Sequence, residues 1–183
     1  MRSALAVITV SFALAHAHAH AETISSPAQT LYQQDQADRK QLKSQPSEKQ
    51  DWPALRARDQ QRRETMLQLL REAKLHSSAD YFAAAMVFQH GDSADDYRLA
   101  FSLATLAQTL DDAKPETRWL TAASWDRLLL KLGKPQWYGT QFERDAAGKL
   151  KLSPIDAAAV DDAERARLNV PPLAQAGAPA SAK

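Results

Sequence analysis

The chain contains no cysteine, which excludes disulfides, thiolate nucleophiles, Cys-ligated zinc and iron–sulfur clusters. It has only five glycines, and neither G-x-G-x-x-G nor G-x-x-x-x-G-K-[ST] occurs, so a Gly-rich phosphate loop is absent. Ser102, Ser124 and Ser153 lie outside any G-x-S-x-G context, which excludes a serine-hydrolase elbow. No charge of one sign dominates either. The 23 Lys+Arg face 22 Asp+Glu, a formal net charge of +1, whereas nucleic-acid binding calls for a strongly basic face. What is present, 183 residues of which 44% are hydrophobic, is enough for one domain with a real core.

The first residues read as an export signal. Met1-Arg2 is a short positive start, and Ala4 to Ala15 is a run of apolar or small residues interrupted only by Thr9 and Ser11. That run is too short for a bilayer span, which takes about 20 apolar residues, but it suits a signal-peptide h-region. The A-H-A triplets at 15–17, 17–19 and 19–21 all satisfy the small-x-small cleavage rule, and a cut after Ala21 has the most usual spacing. A periplasmic or secreted location is therefore expected, with no transmembrane segment after cleavage and, for want of a cysteine, no lipid anchor. Losing Arg2 brings the mature chain, 22–183, to a formal charge of zero. His16, His18 and His20 would leave with the signal. A cut after Ala15 would instead leave His-Ala-His at the terminus, able to chelate Cu(II).

Residues 22–50 are polar, and Leu31, Tyr32, Ala37 and Leu42 form only a thin stripe, so a loosely attached helix over 28–42 and a linker are expected. The domain proper is expected at 51–172. Asp51 ahead of Pro53 starts a helix running to about Leu75, carrying Leu55, Met66, Leu69, Leu70 and Ala73 inward. Ser77-Ser78 caps a helix from Ala79 to His90, closed by Gly91. Asp92-Ser93 starts another through Leu110, with Leu99, Leu103, Leu106 and Leu110 at helical spacing. Pro115-Glu116 opens a fourth, to Leu132 and Gly133. Helices 79–90 and 116–132 are apolar nearly all round and are expected at the centre. A hairpin follows at about 138–153, pairing 138–144 with 149–153 across Asp145–Gly148. A short helix over 156–168 and a disordered tail at 173–183 complete the reading. The fold class is mainly α, a compact helical bundle or a short helix-pair array with a small β-hairpin near the C-terminal end. Gly91 and Gly133, 42 residues apart, each close an apolar helix, a faint sign of helix-pair repetition.

A few polar residues do not fit a plain core. Asp126 shares a face with Trp119, Ala122, Ala123, Leu129 and Leu130, so it must be paired, hydrogen-bonded or protonated. Gln89 shares a face with Phe82 and Met86, and His90 follows Ala83 and Val87, both at a helix C-terminus that favours positive charge. Asp59 and Arg62 fall on the Leu55–Met66–Leu69 stripe and are expected to dock inward, whereas the other mixed charges of 56–63 and 161–167 read as solvated faces. Trp119, Trp125, Tyr81, Phe82, Phe88 and Phe101 sit at core spacing. His76 lies in a helix-ending loop. With no ligand-spaced partner for either mature histidine, no metal and no cofactor are expected.

Three segments carry a resemblance: Gln89-His90-Gly91, then Asp126-Arg127-x-Leu129, then Gly133-x-Pro135-Gln136-x-Tyr138-Gly139-Thr140-Gln141. Over about 55–170 the chain resembles an uncharacterised bacterial domain family marked by D-R-x-L-x-x-x-G-x-x-Q-x-Y-G-T-Q, with Asp59-x-x-Arg62 similar to its earlier acidic–basic element. The resemblance implies a fold unit and a shared site rather than a reaction. The expected function is binding of a small molecule, peptide or envelope partner through a polar pocket with Gln89, Arg127, Gln136, Thr140 and Gln141 as binding candidates. The alternative is a hydrolase or lyase in which His90 and Asp126 form an acid–base pair and Tyr138 or Arg127 stabilises charge. A third reading is a structural helix-pair adaptor whose polar network only specifies packing.

Overall fold

A computed structural model describes residues 25–176; the expected export signal with its A-H-A triplets and the last residues of the chain lie outside them. Five long helices form where the breakers allow: α1 (Pro27–Lys43), α2 (Trp52–Arg71), α3 (Ser78–Gln89), α4 (Ala94–Leu110) and α5 (Pro115–Lys131). Their starts are written in local chemistry. Asp51 accepts from the Ala54 amide, and Ser77 with Asp80 and Ser93 with Asp96 form reciprocal capping boxes.

The centre consists of α3 and α4, with α5 on the far side of α4 and α1 and α2 on α3. Helix 116–132, expected at the centre beside 79–90, lies instead against α4 and touches α3 slightly, with Arg127 of α5 donating to the Gln89 carbonyl at the end of α3. Alanines decide the matter. Ala83, Ala84, Ala100, Ala104 and Ala107 are all essentially inaccessible, and small side chains let two helix axes approach closely. Trp119 is a further correction: it is 39% exposed. The first turns of α5 instead bury Thr117, Leu120 and Thr121, and Thr121 donates to Gln108 of α4.

Helix α1 is an integral part of the fold rather than a loose appendage. Its N-cap Ser26 also donates to Asp80, which receives the Gln29 amide group at 3.2 Å and the His76 and Ser77 backbone N–H groups at 3.1 Å each. One carboxylate thus ties the starts of α1 and α3. Burial raises the Asp80 pKa, but these donors outweigh it and hold it below its ordinary value. Asp80→Asn should therefore detach α1 and lower stability by about 2 kcal/mol, read as faster amide exchange across α1. Unchanged exchange there would refute the tie.

Beyond α5 the chain builds a small second core of Ala122, Tyr138, Leu168 and Val170, with Trp125 and Trp137 packed against it at a ring separation of 5.1 Å. The hairpin pairs β1 (Phe142–Arg144) with β2 (Leu150–Leu152) only. It is shorter than 138–144 with 149–153 because the Tyr138 and Thr140 amides turn to Asp126, leaving the Gln141 carbonyl, which accepts from Ser153, as the last bond across. Likewise α6 is only Asp162–Arg167, since Gln136 and Ile155 form a parallel bridge that holds the chain extended. The expected disorder from 173 is overturned at its start: Leu173–Gln175 forms a 3-10 turn, and Ala176 is buried. Arg165, read as part of a solvated face, is 2% exposed and donates to the carbonyls of Val160 and Trp137.

Candidate functional site

Asp126, wholly buried in α5, uses both oxygens on the loop that follows the helix. Oδ1 accepts from the Trp137 and Tyr138 amides at 2.8 and 3.0 Å, and Oδ2 accepts from the Thr140 amide and hydroxyl at 3.0 and 2.8 Å. Four donors saturate a carboxylate. The loop can wrap it because Gly139 takes φ +84°, a region that costs a β-carbon-bearing residue. Gln136, also inaccessible, clamps the loop from beneath: its Nε2 donates to the carbonyls of Gln141 and Ser153, and its Oε1 accepts the Gln141 amide.

Two corrections follow. Asp126 is not an acid–base partner of His90, since its lone pairs are spent on the loop. Tyr138 is not beside His90 either: it is 8% exposed, and its hydroxyl makes a long 3.4 Å bond to Glu164. Burial, reinforced by Glu164, pushes its pKa up to about 12.

The loop's final residues lead to a different place. Thr140 Oγ1, donating to Asp126, accepts from Gln141 Nε2; Gln141 Oε1 accepts from Arg127 Nε at 3.0 Å. Arg127 Nη1 reaches the Gln89 carbonyl at the end of α3, at 2.6 Å. Asp126 thus fixes, through Thr140 and Gln141, where the Arg127 guanidinium sits. Among the described residues no carboxylate lies within ion-pair distance of it, and Nη2 has no hydrogen-bond partner. Desolvation, with Arg39 adding to it, lowers the Arg127 pKa.

His90, the next residue after Gln89, finds its partner in α1. Nδ1 lies 3.1 and 3.0 Å from the two oxygens of Asp35, which is 1% exposed. Asp35 also meets Arg39 at 2.8 Å. A carboxyl group on Nδ1 keeps the proton there and directs the Nε2 lone pair away. Burial lowers the His90 pKa; Asp35 opposes this, and Arg39 and Arg127 add to it. The neutral ring is therefore the form at pH 7.5.

The inward docking of Asp59 and Arg62 holds: each is 6% exposed, and they pair at 2.5 Å. Asp59 receives both Arg39 nitrogens as well, at 3.1 and 2.9 Å, and these donors outweigh its burial, holding its pKa below the ordinary value. Asp59, Arg39, His90 and Arg127 line a cleft of about 820 Å³ between the α1–α2 pair and the ends of α3 and α5, with Asp35 and Arg62 behind them. Arg39, Lys43, Arg56, Arg63 and Arg127 line it with Asp59 and Asp92; Arg39 is paired with Asp35 and Asp59 and Arg63 with Asp96, which leaves Lys43, Arg56 and Arg127 outside any ion pair among the described residues.

Of the residues expected at the site, His90 and Arg127 meet in this cleft and Gln89 and Gln141 hold Arg127. Asp126, Gln136 and Thr140 shape the loop, and Tyr138 belongs to the second core. Asp35, Arg39 and Arg63 were missed. Asp35 had a signal, because it continues the stripe Ala28–Leu31–Tyr32 toward Arg39 and Leu42, the same pattern that singles out Asp126. Among the described residues no group of three or more His, Asp or Glu side chains could hold a metal ion, and no helix is long and apolar enough to cross a membrane. Comparison with family models, curated proteins and solved structures gives no match, so the site rests on its own geometry.

Proposed function

We propose that the protein is an exported helical domain that binds a small anion, the carboxylate or phosphate of a small molecule or peptide, in the cleft faced by Arg127 and His90. The carrying observation is Arg127: a desolvated guanidinium with no counter-ion and one nitrogen open, held in place by Gln89 and Gln141. A fixed fork of donors in a partly dry cleft suits an oxyanion. The motif block of the suspected domain family then marks one site, in which Asp126 and the Tyr138–Gln141 loop position Arg127. Export is testable separately, since N-terminal sequencing of the mature protein should begin at Glu22.

Anion binding should depend on pH through His90. Its folded pKa lies below 6.5, so the ligand-free fold loses stability as pH falls from the unfolded value through the folded one. An anion beside the ring reverses the preference, because the imidazolium then has a partner. Sulfate, whose charge is constant over this range, should bind several-fold more tightly at pH 5.5 than at pH 8, measured by calorimetry on the full mature chain. His90→Gln should flatten that dependence. Sulfate binding that ignores pH would remove His90 from the site, and no binding of sulfate, phosphate or acetate at either pH would sink the proposal.

A second reading is favoured by one observation, the Asp35 carboxyl on His90 Nδ1. That arrangement suits Nε2 to take a proton from water attacking an anionic ester and return it to the leaving oxygen, with Arg127 stabilising the charge. The cleft lining contains no Ser or Thr nucleophile, so water would be the attacking group.

A further inference from the structure

The cleft is chemically uneven along its length, and the α1–α2 pairing shows how. The ion pairs Arg39–Asp59, Arg62–Asp38 and Arg58–Asp38 set the two helices antiparallel. On one side of the Arg39–Asp59 bridge lie His90 on Asp35, and Arg63. On the other side, one turn further, are Leu42 and Leu55, and one turn beyond those is Trp52, all three lining the cleft. From Arg63 to Trp52 is eleven residues of helix, about 16 Å.

Trp52 is the odd member. It is 49% exposed and has no aromatic neighbour among the described residues, unlike Trp125 and Trp137, which meet edge to face. Leu55 is buried at the cleft wall, and Leu42 is half-buried. An ion alone would occupy the Arg127 end and leave this apolar end wet.

We infer that the ligand is an anionic amphiphile, its carboxylate or phosphate head at Arg127 and His90 and its apolar body along Leu42, Leu55 and Trp52. This rests on the anion-binding reading and adds the ligand's second half. Burying methylenes against these side chains strengthens binding with chain length, while the head sets the charge requirement. The exposed Lys43 and Arg56 on the same turns extend the cationic rim and favour an anion over a neutral amphiphile.

The test is calorimetry of the mature protein with two matched series: acetate, hexanoate and decanoate, and methyl, hexyl and decyl phosphate. Affinity is expected to rise roughly two- to fourfold per added methylene between the six- and ten-carbon members. Trp52→Ala, at an exposed position that the fold does not need, should weaken the ten-carbon ligands about tenfold and flatten the slope. The stronger series identifies the head group. Short anions that bind while chain length changes nothing would overturn the amphiphile and leave the anion site standing. A slope that survives Trp52→Ala would put the apolar body elsewhere and overturn the placement. No binding in either series would overturn both readings.

Discussion

Asp126→Ala is expected to release the C-terminal lobe from α5. The substitution leaves three backbone N–H groups and one hydroxyl, from Trp137, Tyr138 and Thr140, without their acceptor in a site that water does not reach. A single hydrogen bond to a charged acceptor is worth about 1.5–3 kcal/mol and the four share one acceptor, so the total should be about 3–5 kcal/mol rather than their sum. For a chain of this size that lowers Tm by roughly 10 °C. Asp126→Asn should be nearly as damaging, because its amide nitrogen must face donors on one side or the other. Far-UV dichroism should persist below the transition, since α1–α4 have their own core, while the amides of 137–140 lose exchange protection. An Asn variant within about 2 °C of wild type would mean that the carboxyl does not organise the loop.

Arg127→Gln is expected to do the opposite: little harm to the fold and loss of the site. The variant gives up two hydrogen bonds, to Gln89 and Gln141, but it also removes a desolvated charge that has no counter-ion. Those effects offset one another, so Tm without ligand should stay within a few degrees of wild type. Stabilisation by added sulfate or phosphate should vanish, a loss in affinity of about 30-fold or more, corresponding to ~2 kcal/mol for a charge-assisted hydrogen bond. A large drop in Tm with anion binding intact would make Arg127 a strut between α3, α5 and the loop, and nothing more. The pair of variants separates two roles that are adjacent in the chain: Asp126 shapes, and Arg127 receives.

Much of the fold was legible locally. Ser77, Ser93 and Asp51 are caps that accept from backbone N–H groups three residues on, and such chemistry needs no tertiary information. The inward turn of Asp59 and Arg62 was legible for the same reason that Asp126 was, a charge on an apolar stripe. The partner of each charge was not. Asp126 turned out to serve backbone amides, which carry no sequence signature. His90 turned out to face Asp35, 55 residues earlier, through a helix that looked too polar to dock. The polarity of α1 misled because its inward carboxylates are paired by Arg39 and Arg62 and hydrogen-bonded by His90, which belong partly to other helices. Trp119 failed differently. Its spacing suits a core, but the buried side of the first turns of α5 is set by where α4 lies.

The amino-acid sequence by itself determined that this is a mainly helical domain without cysteine chemistry or a glycine-rich phosphate loop, and it marked where the helices begin. It also singled out Asp126 and His90 as residues a plain core would not keep, whereas Arg127 entered only through the motif block that the chain resembles. Only the tertiary structure decided that near-neutral composition conceals a local excess of positive charge. Lys43, Arg56 and Arg127, none of them in an ion pair among the described residues, come from three different helices, while Arg39 and Arg63 are held by Asp35, Asp59 and Asp96. Net charge is a sum over the chain, whereas a binding cleft sees only the groups that the fold brings within a few ångströms.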